Sequence, residues 1–267
     1  MVMRWVSIMW FWWTAAVCVA QADATVADFF LDPAGKAYFL LDDDRLITAN
    51  PLGANTYAWY DSSLGSPDYV DVTNPFQILV YYREYGQVVV LDRTLSELDR
   101  IDLFANPAIE QPGVIARSYA GGIWVFDNWN YRLLRIDDRG EVDQQTNNLR
   151  LQLREPGEPG GLFVSRNNVM LYFPEVGRLA VFTNFGQFER WIELPAADVL
   201  SWNSPRLLGT GTTGNWVWQP GQFTVTPLEA LPEQLATARR ILAGPQGYLT
   251  ADLAGLKTRT TAFAKKN

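Results

Sequence analysis

The chain has 267 residues, of which 48% are hydrophobic, 19% charged and 13% aromatic, and its formal net charge is −7. This composition is typical of a globular protein rather than a disordered one, and the length suffices for one large all-β domain or two small ones. The acidic balance and the lack of any long basic run argue against a nucleic-acid partner, because phosphate binding needs clustered lysine and arginine.

The N-terminal segment has the features of a secretory signal. An uncharged apolar stretch at 5–20 follows the positive charge of Arg4, and a small-x-small sequence occupies 20–22. The sequence therefore predicts a signal peptide at 1–22 and an exported chain. The apolar stretch is shorter than the roughly 20 residues that cross a bilayer, so we expect no membrane span after cleavage. The alternative is a lipoprotein anchored at Cys18, although the residue before it is not small.

The residue inventory restricts the chemistry. The chain contains no histidine, and its single cysteine, Cys18, lies in the predicted signal. Nucleophile systems that use histidine cannot be built, and zinc or copper sites, which normally use histidine and cysteine, are not expected. The glycine-rich stretch 209–214 leads into a strand rather than a helix, so it is interpreted as a turn. We predict no catalytic residue, no metal and no cofactor.

From residue 26 onward the chain repeats one unit of short apolar strands and polar turns. The copies lie at 37–54, 79–98, 123–142 and 170–189, with a weaker copy at 215–228 and a degraded one at 247–263. Arg or Gln followed by an apolar residue anchors the first five, at 45–46, 87–88, 132–133, 178–179 and 222–223, at intervals of 42 to 46 residues. A further strand precedes each anchor, at 26–32, 68–72, 113–118, 161–165 and 205–209.

Four short strands at this period are typical of a β-propeller blade, whereas helical repeats need apolar residues at i, i+3, i+4 and i+7. The sequence predicts an all-β propeller over 23–263 with six blades of about 44 residues and a short basic tail at 264–267. Five blades are the alternative, if the C-terminal units merge. The one plausible helix is 227–240. The last blade lacks an outer strand, and we expect residues near 23–27 to close the ring.

The stretch 31–53, LDPAGKAYFLLDDDRLITANPLG, resembles an NHL-type blade, and so does the recurring order of aromatic strand, acidic turn, Arg-Leu and polar turn. The segment 66–98 is similar to small exported β-propellers of Gram-negative envelopes. The resemblance covers nearly the whole predicted mature chain, and its motifs are architectural. It implies a fold and a location, in the periplasm, at the outer membrane or secreted, but no mechanism.

The turns between the second and third strands suggest a binding face, because a propeller places them all on one side. These turns are predicted at 42–44, 83–85, 127–131, 174–176 and 219–221. Stiff amphipathic aromatic residues dominate binding hot spots. The predicted partner-binding residues are Arg83, Tyr85, Asp127, Trp129, Tyr131 and Glu175. Alternatively, Trp129 and Tyr131 fold back over the neighbouring blade and seal its core.

The densest acidic cluster is Asp42, Asp43 and Asp44. Its oxygen ligands would suit calcium, but the spacing of a calcium loop is missing and aspartate is common in hairpin turns. The turn is the favoured interpretation.

The sequence favours a non-enzymatic β-propeller that acts as a protein–protein interaction or scaffold module in the cell envelope, with another envelope protein or an outer-membrane complex as its partner. One alternative is a glycoside hydrolase or lyase with two carboxylates about 5–10 Å apart at the central channel. Another is a glycan-binding propeller that uses Tyr85, Trp129 and Tyr131 as sugar platforms.

Overall fold

The computed structural model describes residues 24–48, 56–154, 156–212, 214–228, 240–244, 247–252 and 255–259. The predicted signal peptide, the tail at 264–267 and most of the plausible helix at 227–240 lie outside these ranges. Within them, no helix is both long and apolar enough to cross a membrane.

The described strands form antiparallel sheets, and each sheet is built from strands that are consecutive in sequence. The first contains β1 (Val26–Leu31), β2 (Ala37–Leu41), β3 (Leu46–Thr48) and β4 (Ala58–Trp59). The second contains β5 (Tyr69–Asp71), β6 (Ile78–Tyr82), β7 (Gln87–Leu91) and β8 (Glu97–Asp102). The third contains β9 (Pro112–Arg117), β10 (Ile123–Asp127), β11 (Arg132–Ile136) and β12 (Val142–Gln145), and the short helix α1 (Arg150–Leu153) follows it.

The fourth sheet contains β13 (Gly161–Val164), β14 (Asn168–Phe173), β15 (Arg178–Thr183) and β16 (Phe188–Glu193). The fifth contains β17 (Val199–Asn203), β18 (Arg206–Thr210), β19 (Asn215–Trp218) and β20 (Thr226–Leu228). A three-stranded sheet contains β21 (Leu242–Gly244), β22 (Gly247–Asp252) and β23 (Gly255–Arg259). The fold is an all-β propeller, and the five four-stranded sheets are its first to fifth blades.

The burial of each strand follows its position in the blade. The second strands β6 and β10 are buried at every residue, because a blade packs against both of its faces. The fourth strands β8 and β12 are largely exposed. This gradient explains why the second strands are continuous apolar runs and the outer strands are charged.

Apolar clusters fill each interface between neighbouring sheets. Consecutive blades are joined by four clusters, and a smaller one joins the fifth blade to the three-stranded sheet. A further cluster packs Phe29 and Phe39 of the first blade against Leu242 and Leu249 of the three-stranded sheet. The described sheets therefore close into a ring.

Two details of the predicted topology were wrong. In the fifth blade, residues 205–209 were predicted as the inner strand, but the inner strand is β17. The polar residues Ser201 and Asn203 interrupt the apolar pattern by which the other inner strands were recognised. The anchor at 222–223 consequently lies between β19 and β20 rather than at the start of a third strand.

The second correction concerns the N-terminus, where Val26, in the inner strand of the first blade, pairs with Leu41. Within the described residues it pairs with no strand of the three-stranded sheet, although Ala24 and Val26 pack against the apolar cluster at the ring seam.

Alternating strand directions give the propeller two distinct faces. The front face carries the turns between second and third strands, at 42–45, 83–86, 128–131, 174–177 and, in the fifth blade, directly after Thr210, together with the connections between sheets. The back face carries the turns between first and second strands, at 32–36, 72–77, 118–122, 165–167 and 204–205, and those between third and fourth strands. The stretch 219–221 belongs to the back face, so its predicted place among the front-face turns was wrong.

Candidate functional site

A cavity of about 980 Å³ runs through the centre of the propeller, and the inner strands of the sheets form its wall. Most of its rim residues come from back-face turns, including those at 32–35, 73–77, 118–121 and 203–206. Residues of each of the inner strands β1, β5, β9, β13, β17 and β21 line this central space.

The cavity wall is rich in arginine although the whole chain is acidic. Each of the second to fifth blades contributes one arginine, and one more precedes the three-stranded sheet: Arg83, Arg117, Arg166, Arg206 and Arg240. The acidic residues in the wall are Asp32, Asp68, Asp71 and Asp138. The chain as a whole has 29 acidic and 22 basic residues. The wall thus holds five arginines and four aspartates, so its charge is close to balanced while that of the chain as a whole is negative.

Asp71 and Arg117 join the second and third blades at this wall. Oδ2 of Asp71 accepts a hydrogen bond from the backbone N–H of Arg117 at 2.8 Å. Its Oδ1 accepts from the backbone N–H and the hydroxyl of Thr73 at 2.9 and 2.6 Å. The Arg117 guanidinium donates to Gln77 and lies 3.4 Å from Oδ1 of Asp138. Both groups are committed to holding the wall together.

Burial changes the pKa values of several groups here. It lowers the pKa of Arg117, although the charges of Asp138 and Asp71 oppose this effect. It raises the pKa of Tyr69 well above its usual range, and the neighbouring Asp71 adds to that rise. Burial also raises the pKa of Asp28, against the opposing charge of Arg240, with which it forms an ion pair. The raised pKa keeps the phenol of Tyr69 protonated.

Three of the cavity arginines differ from Arg117 and Arg240 because their side chains have no polar partner among the described residues. Within the described ranges, the guanidinium groups of Arg83, Arg166 and Arg206 form neither a hydrogen bond nor an ion pair. Arg83 lies at the front face, where its backbone N–H donates to Asp68 at 2.8 Å. Arg166, in the turn after β13, and Arg206, the first residue of β18, both line the cavity at its back-face end, on neighbouring blades.

The fourth and fifth blades add aromatic surface to the wall. Trp202 lies against Phe163 with ring centroids 5.5 Å apart and an interplanar angle of 31°. Tyr172 belongs to a second strand but reaches the cavity, because the inner strand beside it has glycine at 160 and 161. Burial raises the pKa of Tyr172, which keeps its hydroxyl protonated.

The turn at 127–131 on the front face is organised by one carboxylate. Asp127 is fully buried, and its Oδ1 accepts from the backbone N–H groups of Gln111 at 2.9 Å and Trp129 at 3.2 Å. Its Oδ2 accepts from the side-chain amide of Asn130 at 2.8 Å. Asp127 therefore holds the turn in shape and does not face solvent.

Residues 148–150 brace the same turn from the other side. They donate to three successive carbonyls: Asn148 to Asn130 at 2.8 Å, the Leu149 N–H to Tyr131 at 2.8 Å and Arg150 to Trp129 at 2.9 Å. With this many hydrogen bonds the backbone of the turn is already ordered, so it would lose little conformational entropy on binding a partner.

The two aromatic residues of the turn have opposite environments. Trp129 is 63% exposed, whereas Tyr131 is buried. The Tyr131 ring contacts Phe126 edge-on at 5.1 Å, and its hydroxyl donates to the Gly157 carbonyl at 2.7 Å. Tyr131 thus seals the blade, as the alternative interpretation required of it, while Trp129 projects from the surface.

The other residues predicted to bind a partner are exposed on the front face. Tyr85 is 44% exposed, and Arg83 and Glu175 are exposed as well. Of the six predicted residues, only Arg83 lines the central cavity. Sequence reasoning missed the other cavity arginines, although Arg117 and Arg166 lie at or just beyond the ends of consecutive inner strands, a shared position that could have indicated them.

The acidic cluster forms the β2–β3 turn. Asp42 accepts from the backbone N–H and the hydroxyl of Thr25 at 3.0 and 2.7 Å, and Asp43 binds Arg45 at 2.7 Å. These oxygens serve the turn and the start of the first strand.

No family model and no curated protein matches the chain. Several solved structures, in contrast, are similar to the chain. A catalytically inactive virginiamycin B lyase from Staphylococcus aureus with quinupristin is 12% identical, with 89% of this chain and 95% of that chain covered and a TM-score of 0.56. A structure described as the extracellular domain of a hybrid two component system from B. thetaiotaomicron is 12% identical, with 91% and 35% covered and a TM-score of 0.58. A nidogen/laminin complex is 16% identical, with 73% and 75% covered and a TM-score of 0.51. Identities this low establish the propeller fold alone.

Proposed function

We propose that this chain is a non-enzymatic, exported binding module of the cell envelope, and that its front face contacts another envelope protein or an outer-membrane complex. We also propose that the three-stranded sheet is a sixth, incomplete blade of an NHL-like propeller. Six apolar interfaces between neighbouring sheets support the sixth blade, since a five-bladed ring would not need the last two.

The observation that carries the binding proposal is the turn that presents Trp129. This side chain is 63% exposed, yet its backbone is fixed by Asp127 and Arg150. Ordering a surface loop opposes association, so a tryptophan held ready on a rigid turn binds at a lower entropic cost. Tryptophan is also the residue type most enriched among hot spots.

Neighbouring front-face residues extend this surface. Leu151 on α1 is 93% exposed, beside the Arg150 that contacts the Trp129 carbonyl. Tyr85 and Phe104 are exposed on the second blade, and Val176 on the fourth. Apolar side chains on turns of three consecutive blades suit a broad, flat contact with a protein.

The alternative of an enzyme receives less support. The Staphylococcus aureus lyase described above is catalytically inactive as the variant with one histidine replaced by alanine, and the present chain contains no histidine. In the central cavity, Asp71 already serves Thr73 and the backbone of Arg117. A carboxylate with both oxygens in use is a poor candidate for general acid or base.

Affinity purification of the tagged protein from its native envelope, with quantitative mass spectrometry, tests the proposal. Trp129→Ala should reduce the enrichment of a specific envelope protein about tenfold, which is the loss at a hot spot. Phe185→Ala is the matched control, because Phe185 is an exposed aromatic residue of a back-face turn. Equal enrichment by the wild type and Trp129→Ala would contradict the proposal. So would a Trp129-dependent signal on a glycan array without any enriched protein, which would favour the glycan-binding alternative.

A further inference from the structure

Two arginines from neighbouring blades line the back-face end of the central cavity. Arg166 lies in the turn after β13, and Arg206 is the first residue of β18. Both residues line the same cavity, together with Ser165, Trp202 and Pro205. Arg166 is exposed and Arg206 half-buried, so both are accessible from the solvent.

These two guanidinium groups are uncompensated. Neither has a hydrogen-bond or ion-pair partner within the described residues, and each offers five N–H donors in a planar fork. The aspartates of the wall are occupied elsewhere. Asp32 accepts from the backbone N–H groups of Ala34 and Lys36 at 2.9 and 2.8 Å, and Asp138 pairs with Arg117.

The surroundings of the pair are partly apolar. Trp202 is half-buried, packs against Phe163 at 5.5 Å and lines the cavity. A volume of about 980 Å³ is far larger than an inorganic ion needs, and it falls at the upper end of the roughly 300–1,000 Å³ typical of small-molecule sites. A concave wall with aromatic surface and a few uncompensated polar groups is the usual form of such a site.

We infer that this end of the cavity binds a small organic anion, whose carboxylate or phosphate group is held by Arg166 and Arg206 while its organic part lies against Trp202. Arginine recognises either group through paired N–H···O hydrogen bonds, which are stronger than neutral ones. Because the chain as a whole carries a charge of −7, attraction of an anion depends on this local pair and not on the overall field. The site is separate from the front face, so the inference does not depend on the proposed protein partner.

Isothermal titration calorimetry with three probes at constant ionic strength tests the inference. Citrate supplies carboxylates on an organic body, inorganic phosphate supplies an anion alone, and sucrose is neutral. Citrate should bind with a dissociation constant below about 1 mM and more tightly than phosphate, and sucrose should not bind. Citrate should also slow hydrogen exchange in the segments 163–166 and 202–206.

Variants then locate the site. The double variant Arg166→Gln/Arg206→Gln should weaken citrate binding at least about tenfold, because it removes both charge-assisted contacts. Arg93→Gln is the matched control, since Arg93 is exposed on a back-face turn but does not line the cavity, and it should change the affinity less than about twofold. If the double variant does not fold, the exposed Arg166→Gln alone is used. Absence of citrate binding, phosphate binding as tight as citrate, or an equal loss in Arg93→Gln would each overturn the inference.

Discussion

The backbone N–H of Arg117 donates to Oδ2 of Asp71 across 2.8 Å, and this hydrogen bond ties the inner strand of the third blade to that of the second. Both residues are buried, and both line the central cavity. The contact lies where no strand ladder joins the two blades, so it fixes the spacing of two sheets that otherwise meet through apolar packing.

Removing this carboxylate should destabilise the propeller. Asp71→Ala leaves the buried backbone N–H of Arg117 without its acceptor and also removes the acceptor of the Thr73 N–H and hydroxyl. We expect the free energy of unfolding to fall by about 2–4 kcal/mol, measured by urea denaturation. Glu84→Ala, at an exposed turn residue, should change it by less than about 0.5 kcal/mol. A similar result for the two variants would refute the role assigned to Asp71.

The hydroxyl of Tyr131 should contribute to stability in a way that the hydroxyl of Tyr85 does not. Tyr131→Phe removes the 2.7 Å hydrogen bond to Gly157 and leaves that carbonyl without this donor. The expected loss is about 0.5–1.5 kcal/mol in the same unfolding measurement. Tyr85→Phe makes the identical change on an exposed side chain and should have no measurable effect. Equal losses would mean that the Tyr131 hydrogen bond is unimportant.

Arg150 should determine how rigid the Trp129 turn is. Arg150→Gln removes the guanidinium that donates to the Trp129 carbonyl at 2.9 Å and lies 5.1 Å from the centre of the Tyr131 ring. We expect amide exchange at 128–132 to become about five- to twentyfold faster, as local opening becomes easier by about 1–2 kcal/mol. Arg139→Gln, at an exposed residue of a back-face turn, is the control. Unchanged exchange in Arg150→Gln would show that Asp127 alone maintains the turn.

Asp92 should make stability depend on pH in the acid range. Hydrogen bonds from the Thr94 hydroxyl and from the backbone N–H groups of Ser96 and Thr94 lower the pKa of Asp92. A carboxyl whose pKa is lower in the folded state than in the unfolded one stabilises the fold above the unfolded pKa, and this contribution is lost as the pH falls through the folded value.

Asp92→Asn removes this dependence. The variant should be less stable than the wild type by about 0.5–1 kcal/mol at pH 7, and the difference should shrink from about pH 4 downwards. Urea denaturation at pH 7, 4 and 2.5 measures it. Glu84→Gln, which makes the matching change at an exposed turn residue, is the control. A gap between Asp92→Asn and the wild type that is constant with pH would argue against a lowered pKa.

Local patterns predicted the propeller because the repeating turn is encoded within five residues. In the third blade, Oδ1 of Asp137 accepts from the N–H groups of Arg139 and Glu141 at 2.8 and 2.9 Å, and Gly140 adopts a φ of 80° that suits glycine. Strand alternation between such turns needs no information from distant parts of the chain. The fifth blade was misaligned because its inner strand holds the polar residues Ser201, which is buried, and Asn203, whose side chain donates to the Ala243 carbonyl of the neighbouring sheet.

The candidate sites could not be predicted to the same extent. Trp129 and Tyr131 are two residues apart in one turn, and no local rule separates the exposed ring from the buried one. The difference arises because Leu149, Arg150 and Gly157 reach back to the turn from about twenty residues further along. Arg166 and Arg206 belong to different repeats, and only ring closure brings them to the same cavity.

The way the ring closes has a consequence for folding. Every described sheet is contiguous in sequence, so almost all pairing forms over short stretches of chain. The seam is different, because Phe29 and Phe39 must meet Leu242 and Leu249 from the far end of the sequence. Closing so long a loop costs more entropy than pairing strands that are neighbours in sequence, although the cost grows only with the logarithm of the loop length. We therefore expect the blades to assemble first as an open arc and the seam to form last, so that mutations there accelerate unfolding more than they slow folding.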